Sequence, residues 1–160
     1  MTTLNRCLKY LNHHHVPYTH TIHPTAFRAR EVASAEHLAP YQIAKTVVFC
    51  GDGVYAMAVL PADCAIDVEG LAAALGLQEV RLATEEELSE LFPHAELGAM
   101  PPLGKLFNLP VYLDERLNEE KHIVFNAGTH RDSVHMSVAD YVRLTDPLIT
   151  HFAEPEVRVR

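Results

Sequence analysis

Cysteine is scarce in this chain: Cys7, Cys50 and Cys64 are odd in number and widely spaced, with no C-x-x-C. Such a set argues against a disulfide framework and against a cysteine-held zinc. Positive charge is also short. Thirteen Lys and Arg stand against 21 Asp and Glu, giving a formal charge of −8 and a pI near 5.7. That balance disfavours non-specific binding along nucleic-acid duplexes, so DNA is not expected as a partner. It leaves open a small basic pocket that reads one end of an RNA. No apolar run approaches the roughly 18 residues of a membrane span, and the N-terminus lacks the charged-then-apolar profile of a secretion signal. A cytoplasmic protein with no membrane partner is the expectation.

Repeats, low-complexity stretches and interdomain linkers are missing too, which favours one domain over residues 1–160. A chain of that length can bury a sizeable core. Catalytic signatures are equally absent. No Ser-His-Asp or Cys-His pattern supports a protein nucleophile. His13, His14, His15, His20 and His23 cluster early, but no H-E-x-x-H or comparable ligand spacing accompanies them. Neither a metal nor another cofactor is expected.

What is present is a mixed helix and hairpin pattern. Thr2 or Thr3 caps a helix to about His15, with Leu4, Cys7, Leu8 and Leu11 forming one apolar stripe. Tyr18 to His23 alternates as a strand, and Phe27 to Leu38 has helical composition. Tyr41 to Phe49 and Val54 to Leu60 are apolar strands joined at Gly51-Asp52-Gly53, an antiparallel hairpin. Asp67 caps a helix over Val68 to Leu75 that stops at Gly76. Glu79 to Leu82 reads as a short strand. Thr84 and Glu87 form a capping box for a helix ending near Phe92. A strand starts near Pro110, a turn covers Asp114 to Leu117, and strands at Ile123–Phe125 and Ser133–Val138 precede a closing helix to Leu144. The tail Arg158-Val159-Arg160 is expected to fray.

Three stretches carry more than structure. In the first, Lys45 shares a strand face with Ile43, Val47 and Phe49, while Ala44, Thr46 and Val48 take the other. Both faces are mostly apolar, and a lysine is rarely buried without a partner. The pattern leaves two readings: an ammonium that snorkels to water, or a cation at the floor of a pocket. In the second, Gly98-Ala-Met100-Pro101-Pro102-Leu-Gly104 forms a stiff extended loop. Its adjacent prolines fix φ and remove two amide donors. It is either a crossover or a loop that presents backbone groups to a ligand. In the third, Asn126-Ala-Gly128-Thr129-His130 is a turn at a strand end, a position suited to binding.

Together these stretches resemble the YbaK / prolyl-tRNA synthetase-associated editing domain family. Ala44-Lys45-Thr-Val-Val-Phe49, Gly98-Ala-Met-Pro-Pro102-Leu-Gly104 and Phe125-Asn-Ala-Gly128 stand in that family's order and spacing across nearly the whole chain. The resemblance implies an α+β fold: a curved, mostly antiparallel, partly barrel-like sheet with helices packed outside. It implies a trans-acting hydrolase that removes a small wrong amino acid from a mischarged tRNA, tRNA(Pro) or a related one. Lys45, Gly98 and Pro102 match the characteristic lysine and the ends of the G-x-x-x-P loop. Met100, Pro101, Asn126, Gly128, Thr129 and His130 fall at the substrate-binding positions. The expected partners are the aminoacyl-tRNA acceptor end and an aminoacyl-tRNA synthetase. Asn126-Ala-Gly128 departs from the Ser-Gly-Gly-like turn of the cysteinyl-tRNA(Pro) deacylases, so alanine, cysteine, serine and threonine all remain open. The alternative is a non-catalytic tRNA- or aminoacyl-binding module of the same fold.

Overall fold

The structure is a computed structural model that describes residues 1–156, so the expectation for Arg158–Arg160 lies outside it. Its elements run α1 (Thr3–His13), β1 (Tyr18–Ile22), α2 (Ala29–Ala35), β2 (Ala44–Gly51), β3 (Val54–Pro61), β4 (Cys64–Ile66), α3 (Val68–Leu75) and β5 (Val80–Leu82). They continue with α4 (Glu85–Leu91), β6 (Val111–Asp114), α5 (Glu115–Asn118), β7 (His122–Asn126), β8 (Asp132–Ser137), α6 (Val138–Thr145), β9 (Leu148–Thr150) and β10 (Ala153–Pro155).

Local chemistry sets most boundaries. The Thr2 hydroxyl accepts the Asn5 amide at 3.1 Å and starts α1. Asp67 caps α3 in the same way, and Gly76 ends it in the left-handed conformation at φ 67°. Asp52 and Gly53, both at positive φ, turn β2 into β3 with Gly51 opposite Val54. That two-residue turn matches the strand twist. The helix expected over 27–38 is shorter, because Phe27 and Arg28 precede it and His37 leaves it at φ 57°. Pro40 opens a single 3₁₀ turn to Gln42, so the lysine strand begins at Ala44 rather than Tyr41. Asp114 to Leu117 is not a plain turn: Asp114 ends β6 and caps α5.

Among the described residues the strands form three sheets, none closed, in the orders β1-β8-β7, β10-β4 and β5-β2-β3-β6-β9. Pairing is mostly antiparallel, with β3–β6 and β6–β9 parallel. A parallel bridge between Ile43 and Val124 brings the start of β2 against β7 and so joins the two larger sheets. The partial wrap expected of a barrel is therefore confined to this seam. Both faces of the β2–β3 hairpin are buried. Val48, Met57 and Val59 pack on Phe125, Val134 and Tyr141. Phe49, Ala58 and Leu60 pack on Leu71 and Phe152. Ile43 and Val124 meet Ala26, Val32 and Ala33 beneath α2. Such two-sided burial is what the near-continuous apolar runs demanded. Lys45 leaves the sheet beside the seam, and the site is built there.

Candidate functional site

At the seam a cavity of about 170 Å³ is lined by Ala44, Lys45 and Thr46 of β2, Gly98 and Met100 of the proline loop, and Asn126 at the end of β7. Phe27 and Ala29, on the way into α2, complete its wall. Pockets for drug-sized ligands start at about 300 Å³, so this one suits a small group. Lys45 is about a quarter exposed, with Nζ 3.3 Å from Glu156 Oε1. Arg30 reaches the other oxygen of the same carboxylate, with Nη2 3.3 Å from Oε2. Burial alone would raise the Glu156 carboxyl, but the charges and hydrogen bonds of Lys45 and Arg30 hold it below its usual range.

The loop and the turn are one unit. The Gly128 amide donates to the Ala99 carbonyl, and the Glu96 amide donates back to the Gly128 carbonyl, both at 2.8 Å. His130 Nε2 donates to the Leu97 carbonyl at 2.8 Å. Its own amide donates to Glu96 Oε1 at 2.9 Å. With Nε2 as the donor, His130 Nδ1 is a buried acceptor, and it has no partner among the described residues. Asn126 Oδ1 is likewise buried and unpartnered. Buried polar atoms are nearly always satisfied, so an acceptor left open on a cavity-lining residue is a place for a ligand's donor. Among the described residues no hydrogen bond uses the Gly98 or Met100 amide.

Of the residues singled out in the sequence, Lys45, Gly98, Met100 and Asn126 meet in the cavity lining. The others stand behind it. Pro101 and Pro102 are buried, and the Tyr141 hydroxyl donates to the Pro102 carbonyl at 2.7 Å. Gly128 sits at φ 100° against α1, where a Cβ would lie 2.9 Å from Thr3. Thr129 Oγ1 donates to Asp132 Oδ2 at 2.6 Å and accepts the Arg131 and Asp132 amides, so it serves the turn itself. The His130 ring backs Gly98, 3.7 Å from where a Cβ would stand, and packs on Phe27 with ring centroids 4.9 Å apart.

Sequence reasoning missed Phe27, Ala29, Arg30, Ala44, Thr46 and Glu156. Phe27 carried a usable signal: it is an aromatic outside any apolar periodicity, and it is 69% exposed. Thr46 carried another, as the polar residue on an otherwise apolar strand face. Glu156 carried none, lying 111 residues from Lys45.

No thiol serves the cavity. Burial pushes Cys7 up to about 12 and Cys64 up to about 11, and neither lines it. Among the described residues no group of three or more His, Cys, Asp and Glu is placed to hold a metal ion. Two of the early histidines are otherwise engaged: His23 Nε2 lies 3.0 Å from Ser133 Oγ, and His20 Nε2 lies 2.7 Å from Asp132 Oδ1. Among the described residues no helix is long and apolar enough to cross a membrane.

Comparison with known proteins meets this geometry. The aminoacyl-tRNA editing domain family model matches residues 23–144, a span holding every cavity-lining residue. The multifunctional Ser/Thr-tRNA deacylase ProXp-y of Escherichia coli is 31% identical over 156 residues, covering 94% of this chain and 92% of the relative. The proline–tRNA ligase of Heliobacterium modesticaldum is 30% identical over 121 residues, 76% of this chain but 20% of the ligase. A crystal structure described as a candidate trans-editing enzyme for prolyl tRNA synthetase superposes with TM-score 0.82 at 26% identity, over 96% of this chain and 98% of that one. The matched span, the cavity it encloses and these relatives agree: the chain belongs to the aminoacyl-tRNA editing domain family.

Proposed function

We propose that residues 1–160 act as one domain, in trans and in the cytoplasm, to hydrolyse the ester of a tRNA mischarged with a small amino acid. The observation that carries this reading is the 170 Å³ cavity, which joins a cation, open backbone amides and an unpartnered acceptor around one small space. Serine and threonine are the first candidates, since the Escherichia coli relative is named a Ser/Thr-tRNA deacylase; alanine and cysteine are the next. The tRNA is tRNA(Pro) or a related one, and a prolyl-tRNA synthetase is the expected working partner.

Ester hydrolysis needs a positioned water and stabilisation of the developing oxyanion. In this reading Lys45 holds the anionic end of the substrate, and the Gly98 and Met100 amides face the ester oxygen. Asn126 Oδ1 accepts from the amino acid's α-ammonium. Water adds to the carbonyl, the bond to the ribose oxygen breaks, and the neighbouring ribose hydroxyl carries the proton. No side-chain nucleophile takes part. Selectivity is steric: a cavity of this size admits small side chains and excludes larger correct ones, and it discriminates poorly among those that fit.

The test is a panel of aminoacyl-tRNAs incubated with the protein and scored for released amino acid. Release of small amino acids, with correctly charged larger ones left intact, is the expected result. A protein that binds these tRNAs and releases nothing is a binding module instead.

A further inference from the structure

Among the described residues Glu156 is the one carboxylate that reaches the cavity's cation, and its position is built rather than accidental. Asp114, fully buried at the end of β6, accepts the Phe152 and Ala153 amides at 2.8 and 2.7 Å. This fixes the chain where β10 begins. Strand β10 then pairs with β4, with Pro155 opposite Cys64, and the Glu156 amide donates to the Asp63 carbonyl at 3.0 Å. The backbone is thus held up to Glu156, whose side chain turns to Arg30 and Lys45.

The contact has the form of an anion site. Oε1 faces Lys45 Nζ, while Oε2 faces Arg30 Nε and Nη2, all at 3.3 Å. Two oxygens on one centre, each matched to a cation, also describe the non-bridging oxygens of a phosphate. The contacts are long beside the 2.7–2.9 Å usual for charge-assisted hydrogen bonds. All three side chains keep solvent access. Such pairs contribute little and exchange readily.

We propose that Arg30 and Lys45 form a two-armed phosphate subsite for the last nucleotide of the acceptor end, and that Glu156 occupies it until the RNA displaces it. This rests on the deacylase reading and adds Arg30 as a substrate-binding residue and Glu156 as an internal competitor. Arg30 suits the task because its planar fork meets two oxygens at once, whereas Lys45 acts as a point charge.

The test uses the full chain, an uncharged RNA minihelix ending in CCA for binding, and the same minihelix mischarged for kinetics. Glu156→Gln keeps the shape and the backbone bond while removing the competing charge. It is expected to bind the uncharged minihelix roughly two- to fivefold more tightly, the scale on which exposed ion pairs act. KM should fall by a similar factor with kcat unchanged. Arg30→Gln is expected to bind several-fold more weakly, with an unchanged unfolding temperature reporting an intact fold. Unchanged or weaker binding by Glu156→Gln overturns the competitor, and a fall in kcat would make Glu156 a residue that positions Lys45. Unchanged binding by Arg30→Gln overturns the second arm. Binding of uncharged RNA needs no turnover, so a wild-type protein that deacylates nothing refutes the proposed activity while leaving this subsite to be judged by its own result.

Discussion

Two carboxylates in this molecule are each shared by several donors, and they differ in almost everything else. Glu87 takes Arg81 at 2.6 and 2.9 Å, accepts the Thr84 amide at 2.9 Å, and receives the Tyr55 hydroxyl. Glu156 takes Arg30 and Lys45 at 3.3 Å and has no hydroxyl or amide donor among the described residues. The first cluster ties the start of α4 to β5 and β3 and borders no part of the cavity lining. The second shares Lys45 with the cavity lining. Saturated short bonds mark a fastener, whereas long bonds to a single carboxylate mark cations held ready for something else. Counting ion pairs would have ranked the two alike.

Lys45→Ala strikes the second cluster hardest. Deacylation should fall on the order of a hundredfold, the cost of losing one positioned transition-state contact. The unfolding temperature should barely move, since an exposed pair is worth about 0–1 kcal/mol. Near-normal turnover by a folded variant would remove Lys45 from the site. Gly98→Ala comes next. At φ 84° a side chain is strained, yet its Cβ would meet only His130 Cε1 at 3.7 Å. Stability should drop by about 1–2 kcal/mol, and deacylation should drop tenfold or more beyond the loss of folded protein. Both quantities must come from one preparation. If activity falls only in step with stability, the loop is a connection rather than a wall.

Glu87→Gln is the matching assault on the fastener. The unfolding temperature should fall and deacylation per folded molecule should not. The sign of its pH dependence follows from the Arg81, Thr84 and Tyr55 bonds, which hold the Glu87 carboxyl far below its ordinary 4.5. A depressed carboxyl stabilises the fold above its unfolded value and loses that contribution as pH falls. The gap between wild type and variant should therefore be full at pH 7 and shrink below about 4.5. A constant gap would mean that packing, not charge, had been lost. The smallest effect concerns salt. Few phosphates are neutralised at an acceptor end, so log Kd for tRNA should change shallowly with log salt. A slope implying on the order of eight or more contacts would reveal a wider basic surface.

How much of this was legible in the sequence follows a physical line. The β2–β3 hairpin, the caps of α1, α3 and α4 and the glycine stop of α3 were readable because each is decided by residues a few positions apart. Strands β4, β9 and β10 were not. Each has three residues and exists only through pairing with remote chain, as Cys64 does with Pro155. The site divides the same way. Lys45, Gly98, Met100 and Asn126 announced themselves through an odd lysine, proline punctuation and a turn. Arg30 lies within a stretch of plain helical composition that singles out no residue, and the tail that supplies Glu156 offered no local clue. Gly128, Thr129 and His130 sit one layer behind the wall, since a motif marks what holds a site as well as what lines it.

Gly128 has a bearing on how such domains can be recombined. Its amide and carbonyl grip the proline loop, and its bare α-carbon lies against Thr3 with no space for a methyl group. Loop, turn and the first turn of α1 are thus cut to one another's outline, although they are drawn from three distant parts of the chain. A chimera that imports a relative's proline loop alone would set a foreign edge against a native turn. Retargeting by graft has a better prospect when residues 1–5, 96–102 and 126–132 travel together.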